Sequence, residues 1–127
     1  MKSLKSFALS EDEIQIQYFN WVYAQERVYP ALRWVHHIAN GGSRHMLEAV
    51  KLKRMGVRPG VADVFIPNAH PFYDRKGLWI EFKSSVGKQS PQQKEFALSM
   101  SLCGYRYEIC RTSQAAIEIT KNYLNIK

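Results

Sequence analysis

Three residues combine suitable chemistry with suitable spacing: Asp63, Glu81 and Lys83, in the stretch RPGVADVFIPNAHPFYDRKGLWIEFK from Arg58 to Lys83. Side chains on a strand alternate between faces, so Ile80 and Phe82 share an inward face while Glu81 and Lys83 stand together on the other. Asp63 lies near the start of the preceding apolar run, just after Gly60. An antiparallel partner brings its carboxylate within a metal's reach of Glu81. Two hard oxygen ligands with coordination positions left for water and a phosphate oxygen suit Mg²⁺ or Mn²⁺ better than zinc. Phosphodiester hydrolysis needs charge neutralised on the phosphoryl oxygens, an activated in-line water and a protonated leaving group. A divalent ion meets the first two needs. Lys83 beside it orients or deprotonates the water, or holds the phosphate as a positive charge, and the sequence leaves these roles open. Taken alone, Glu81 and Lys83 also fit an exposed cross-sheet ion pair, and Gly60 to Asp63 fits a turn. The whole set, in its order and spacing, is what points to a site.

The other polar candidates divide into histidines and cations. His36, His37 and His45 lack metal-ligand spacing, and adjacent histidines on a strand face opposite ways. A DNA contact by His37, Arg44 or His45 fits better, because Gly41-Gly42 lets a phosphate approach the backbone closely. Arg44, Lys51, Lys53, Arg54, Arg58 and Lys88 are the candidate phosphate contacts, several of them on one basic helix face. Trp21, Trp34 and Tyr105 read as core.

The elements that must position these residues follow from periodicity and caps. Ser10 with Glu13 forms a capping box ahead of EDEIQIQYFNWVYAQERV, where Ile14, Tyr18, Trp21, Val22 and Val28 recur at helical spacing. Leu32 to Ala39 is rich in β-branched and aromatic residues and reads as a strand, broken by Asn40-Gly41-Gly42. From Ser43 a helix with Met46, Leu47, Val50 and Leu52 inward runs until Gly56. Val61 to Ile66 and Leu78 to Lys83 are strands, joined by a connection too long for a tight hairpin but able to pair antiparallel. Ser90-Pro91-Gln92-Gln93 opens another capped helix, carrying Phe96, Leu98, Met100 and Leu102 and ending at Gly104. Tyr105 to Cys110 is a strand, and Ser113 to Leu124 a final amphipathic helix. The step from Leu78 to Cys110 calls for a parallel crossover pair, so the sheet is expected to be mixed, with helices on both faces.

A chain of 127 residues with 46% hydrophobic and 13% aromatic content has enough apolar surface for one core, so a single domain over 1–127 is expected. Eighteen Lys and Arg against eleven Asp and Glu, a net +7, favour a polyanionic partner over an acidic protein. Cys103 and Cys110 match no zinc knuckle or CxxC pair, and both read as reduced and buried. No run approaches the roughly 20 apolar residues of a membrane span, and the first residues lack a signal-peptide core. A cytoplasmic location is expected, in a bacterial or phage-infected cell.

Gly56-Val57-Arg58-Pro59-Gly60-Val61-Ala62-Asp63, Ile80-Glu81-Phe82-Lys83, Ser90-x-x-Gln93 and Gly104-Tyr105 resemble the VRR-NUC family of the PD-(D/E)XK nuclease superfamily. The likeness extends to Ser10-Glu11 through Gln15, to Asn40 through Arg44 and to Lys51 through Met55, and so covers nearly the whole chain. Ala62 departs from it, standing where the family usually has proline. The resemblance implies an αβββαβ, restriction-endonuclease-like core with Asp63 and Glu81 as metal ligands. It also implies the Phe82 carbonyl as a further ligand, Lys83 as catalytic lysine, and site roles for Glu13 and Gln93. Both of these last also fit their capping boxes alone. It further implies an Mg²⁺- or Mn²⁺-dependent DNA endonuclease of phage type, working as a homodimer on branched DNA like a Holliday-junction resolvase. The alternatives are an endonuclease on duplex, flap or nicked DNA, or a weakly catalytic DNA-binding module. The connection from Pro67 to Gly77 is the part least fixed by the family pattern.

Overall fold

The computed structural model describes residues 8–39 and 46–127. Helix α1, Glu11–Gln25, begins at a full capping box: Glu13 N–H donates to Ser10 Oγ at 3.1 Å, and Ser10 N–H donates to Glu13 Oε1 at 3.0 Å. Its buried residues Ile14, Tyr18 and Val22 recur every four positions and so form one stripe.

Four strands form one sheet in the order β1-β2-β3-β4. They are β1, His36–His37; β2, Val64–Ile66; β3, Leu78–Phe82; and β4, Arg106–Cys110. β1 with β2 and β2 with β3 are antiparallel, while β3 and β4, joined through helix α3 (Pro91–Leu102), are parallel. The mixed sheet expected from the sequence is therefore present. Leu78, Ile80 and Phe82 share one face with Val64 and Ile66 and are all buried. On that side Phe82 meets Tyr18 of α1, and helix α4, Ser113–Leu124, packs beside α1 with Tyr18 Oη and Thr120 Oγ1 bonded at 2.7 Å in the interior. The opposite face shows Phe65, Trp79 and Tyr107, and α3 covers it by setting Phe96 edge-on to Trp79 and Tyr107. Helices thus lie on both faces.

Several expectations are corrected. Leu32 to Ala39 is not one strand: Pro30–Trp34 is a 3-10 helix, and only His36–His37 pair with β2. Pro30, with its φ fixed near a helical value and no N–H to donate, opens that turn and overrides the β-propensity of the residues after it. Trp34 and Val28 are exposed, because the chain turns away from the core there. Helix α2, Met46–Arg54, ends as expected before Gly56, whose φ of +104° suits glycine. Leu47 and Val50 point outward on it, as do Leu98 and Leu102 on α3. Cys103 is exposed and only Cys110 is buried, both free. The Asn40-Gly41-Gly42 break, the helix start at Ser43, Arg44 and His45 lie outside the described residues, as does the side chain of Met46.

Candidate active site

Asp63 and Glu81 meet where the β2–β3 ladder stops. The last paired residues are Val64 and Ile80, and one step further Asp63 uses its side chain, accepting the Phe82 N–H on Oδ2 at 2.7 Å. That bond pins one carboxylate oxygen. Glu81 comes in from β3 with 1% of its surface exposed, and its carboxyl stands within hydrogen-bonding reach of Asp63. Its Oε2 accepts from Gln93 Nε2 at 3.2 Å, whereas its Oε1 is buried and has no partner among the described residues. Burial first, and the adjoining Asp63 next, push the Glu81 carboxyl up to about 9, while Lys83 pulls the other way. Two carboxylates facing each other out of water repel unless a proton or a cation lies between them.

Lys83 is also buried, which corrects the exposed-ion-pair reading: the only ion pair among the described residues joins Arg106 to Glu108. Its stem runs along Gly87, where an added Cβ would lie 3.4 Å from Lys83 Cδ and 3.3 Å from Glu11 Oε2. A side chain at 87 would crowd the lysine. The loop after Lys83 is tied down by Arg111, whose Nη1 donates to the carbonyls of Ser84 and Gly87 at 2.7 and 2.8 Å.

Gln93 closes the capping box of α3 and also reaches Glu81. Its Oε1 accepts the Ser90 N–H at 2.8 Å, and its own N–H donates to Ser90 Oγ at 3.1 Å. The amide is thereby oriented and its Nε2 is aimed at Glu81. A group that holds a ligand oxygen in this way fixes where the ligand can point. Glu13, by contrast, is exposed and held in its cap, where Ser10 keeps its carboxyl below the usual range. The first-helix carboxylate whose charge reaches Glu81 is Glu11, which the sequence did not single out although it stands next to the capping serine.

One neighbour of the pair was missed. Tyr107 on β4 accepts from Gln89 Nε2 at 3.1 Å, and burial, more than the charges of Glu81 and Asp63, pushes its phenol up to about 12. Only the strand register, which pairs Trp79 with Tyr107, reveals it. His37, which the sequence offered as a DNA contact, holds its Nδ1 2.7 Å from the Asp63 carbonyl oxygen. Lys51, Lys53, Arg54, Arg58 and Lys88 are exposed and in no ion pair among the described residues, which leaves them available to anions.

As a cation cradle the pair is sparse, since no group of three or more His, Cys, Asp or Glu converges among the described residues. One or two carboxylates are nevertheless the usual protein share of an Mg²⁺ site. The unpartnered Glu81 Oε1 is the atom such an ion would satisfy.

A mixed sheet sandwiched by helices, with two carboxylates and a lysine at the end of its central strand pair, places the molecule among α/β domains with a polar site at a ladder's end. No protein-family profile and no curated protein matches the sequence. A solved structure described as "VRR_NUC domain protein" is similar over 94% of this chain and 92% of its own, at 29% identity and a TM-score of 0.75. The chain has the VRR-NUC domain fold.

Proposed function

We propose that the protein is a DNA endonuclease that hydrolyses phosphodiester bonds with Mg²⁺ or Mn²⁺ held by Asp63 and Glu81, with the Phe82 carbonyl between Glu81 and Lys83 as a further ligand. The observation that carries the reading is the carboxylate pair itself, a buried Glu81 against a half-buried Asp63. Each acid has one oxygen fixed by a protein N–H, Phe82's for Asp63 and Gln93's for Glu81, and Glu81 Oε1 is left without a donor among the described residues. Such an arrangement is costly as it stands and suits a hard cation. When bound, that cation neutralises charge on the phosphoryl oxygens and acidifies a water.

The chain's own residues do the rest. Lys83, free of any ion pair among the described residues, offers its ammonium as a donor to the attacked phosphate and to the water lined up behind it. Gln93 holds Glu81 in one rotamer. The exposed Lys51, Lys53, Arg54, Arg58 and Lys88, in a chain of net charge +7, bind the phosphate backbone, and Arg44 is proposed to join them. The neighbouring fold's description as a VRR_NUC domain protein supports nuclease chemistry. Branched DNA, cut by a homodimer, is the proposed substrate.

The test is a titration of Mg²⁺ and Mn²⁺ against synthetic four-way junctions, flaps, nicked and intact duplexes. Cleavage is expected with either metal, fastest on a branched form, and reduced by at least about a hundredfold in Lys83→Ala. A Lys83→Ala protein that cut at full rate would sink the mechanism. Tight binding with no cleavage of any substrate in either metal would make the protein a DNA-binding module instead. Sedimentation at several concentrations reads the dimer.

A further inference from the structure

At the sheet edge, the two histidines of β1 are fixed by the backbone. His36 Nδ1 lies 2.7 Å from the carbonyl oxygen of Trp34, and His37 Nδ1 2.7 Å from that of Asp63. A carbonyl oxygen only accepts, so each Nδ1 carries the hydrogen, and in the neutral ring each Nε2 keeps a free lone pair. The His36 ring turns to Phe65, with centroids 5.9 Å apart, while His37, paired with the core residue Val64, lies on the side of α1. Both residues border a cavity of about 350 Å³, together with Gln15, Phe19, Asn20 and Tyr23 of α1. The rings of Phe19 and Tyr23 are in contact, with centroids 5.7 Å apart, and Tyr23 is 66% exposed.

Among the described residues the lining holds no Lys, Arg, Asp or Glu, and none of the lining residues selects for a phosphate or repels a neutral group. What it offers is an aromatic wall, two side-chain amides that both donate and accept, and the acceptor nitrogen of His37. A flat heterocycle with amino and carbonyl groups on its rim can use that whole set, with a π-face on the aromatic wall and an edge toward the amides. A base in a duplex has its faces stacked and its edge paired, so only a splayed-out base could enter.

The cavity also has a fixed relation to the carboxylates. The Asp63 carbonyl that holds His37 also accepts the Ile38 N–H at 2.8 Å, so one residue anchors the cavity through its backbone while its side chain faces Glu81. We infer that this cavity takes one unpaired nucleobase of the DNA substrate, bound beside the phosphate that reaches Asp63 and Glu81. The inference rests on the nuclease reading above and narrows its substrate to DNA with an unpaired nucleotide near the cut. Tyr23 and Phe19 stack the base, Asn20 and Gln15 bond its edge, and His37 Nε2 accepts from its amino group.

The test is made on the intact chain in EDTA, so that binding is read without cleavage. Flap and junction DNAs carry 2-aminopurine or an abasic site at each unpaired position in turn. Binding is expected to change the 2-aminopurine fluorescence at one position, and an abasic site there should weaken wild-type binding about tenfold, as expected for loss of a stacked base. Tyr23→Ala and Asn20→Ala, both at exposed positions, should each weaken binding to the intact flap about as much, and the abasic site should cost Tyr23→Ala nothing further. The inference is overturned if abasic sites leave wild-type affinity unchanged at every position, or if both variants are weakened equally on fully paired duplex. A protein that cuts no DNA in Mg²⁺ or Mn²⁺ yet shows the fluorescence change and the abasic effect refutes the nuclease and upholds the base site.

Discussion

Glu81→Gln is expected to stabilise the metal-free protein, although it deletes a candidate metal ligand. The carboxyl is buried against Asp63, and its Oε1 has no donor among the described residues. Glutamine keeps the shape and the acceptor for Gln93 Nε2, and it turns the orphaned position into an N–H₂ that can donate to Asp63. With a carboxyl raised from 4.5 to about 9, the native state holds a proton that the unfolded chain releases above pH 4.5. Stability from this group is therefore full below about pH 4.5 and is lost as pH rises toward 9. At pH 7 the cost of Glu81 over a neutral isostere is up to about 3 kcal/mol, from about 1.4 kcal/mol per pH unit. For a domain of this size that corresponds to roughly 5–10 °C in Tm. Thermal melts in EDTA between pH 4 and 9 should show wild type and Glu81→Gln converging at the acid end and separating, with the variant higher, as pH rises. Millimolar Mg²⁺ or Mn²⁺ should then raise the wild-type Tm and leave the variant little changed, since a ligand stabilises only the state that binds it. A variant that melts below wild type in EDTA at pH 8 would show that Glu81 is not held at a cost, and the argument for a cation there would fall with it.

Gly60→Ala should lower stability by at least about 2 kcal/mol, because φ is +89° and the new Cβ would lie 2.6 Å from the Gln92 carbonyl oxygen; a urea midpoint unchanged from wild type would contradict this. Gln93→Glu keeps the capping box but adds a third carboxylate beside Glu81, so it should melt lower than wild type at pH 8 in EDTA and recover in acid, whereas a pH-independent difference would mean that the bond from Gln93 to Glu81 carries nothing. Tyr18→Phe removes a buried bond whose partner, Thr120, still donates to the Ala116 carbonyl at 2.8 Å; its cost should be about 1 kcal/mol by denaturant titration. Replacing Lys51, Lys53 and Arg54 together by alanine should flatten the slope of log binding constant against log salt by about 0.9 for each phosphate that is no longer neutralised, while an unchanged slope would remove α2 from the DNA path.

The part of the molecule from β2 to α4 was legible because each element carries its own punctuation. Ser90-Pro91 with Gln93, and Gly104 after α3, mark ends chemically, and the antiparallel-then-parallel pairing follows from connection lengths. The approach of Asp63 to Glu81 was readable from the antiparallel pairing of β2 and β3. Parity could not say that α3 would roof the Glu81 side and bury it, because that depends on Phe96 reaching Trp79 across the sheet. β1 was misjudged for a related reason: its residues favour a strand, but only two of them find partners in a three-residue neighbour. The outward Leu47 and Val50 of α2 show the limit of helical periodicity, which states that a face is apolar and not that anything covers it. Glu11 and Glu13 lie in the same first turn, and only the rotation of α1 against the sheet separates them.

The rung that Asp63 supplies to β3 gives the protein a built-in spectroscopic probe. In most ladders an amide proton bonds to a carbonyl whose charge never changes, yet the Phe82 N–H bonds to an ionisable oxygen at 2.7 Å. Its proton chemical shift will therefore follow the charge state of Asp63 directly. One backbone resonance, with no label beyond ¹⁵N, records protonation at the carboxylate pair and, when a cation is added, its arrival.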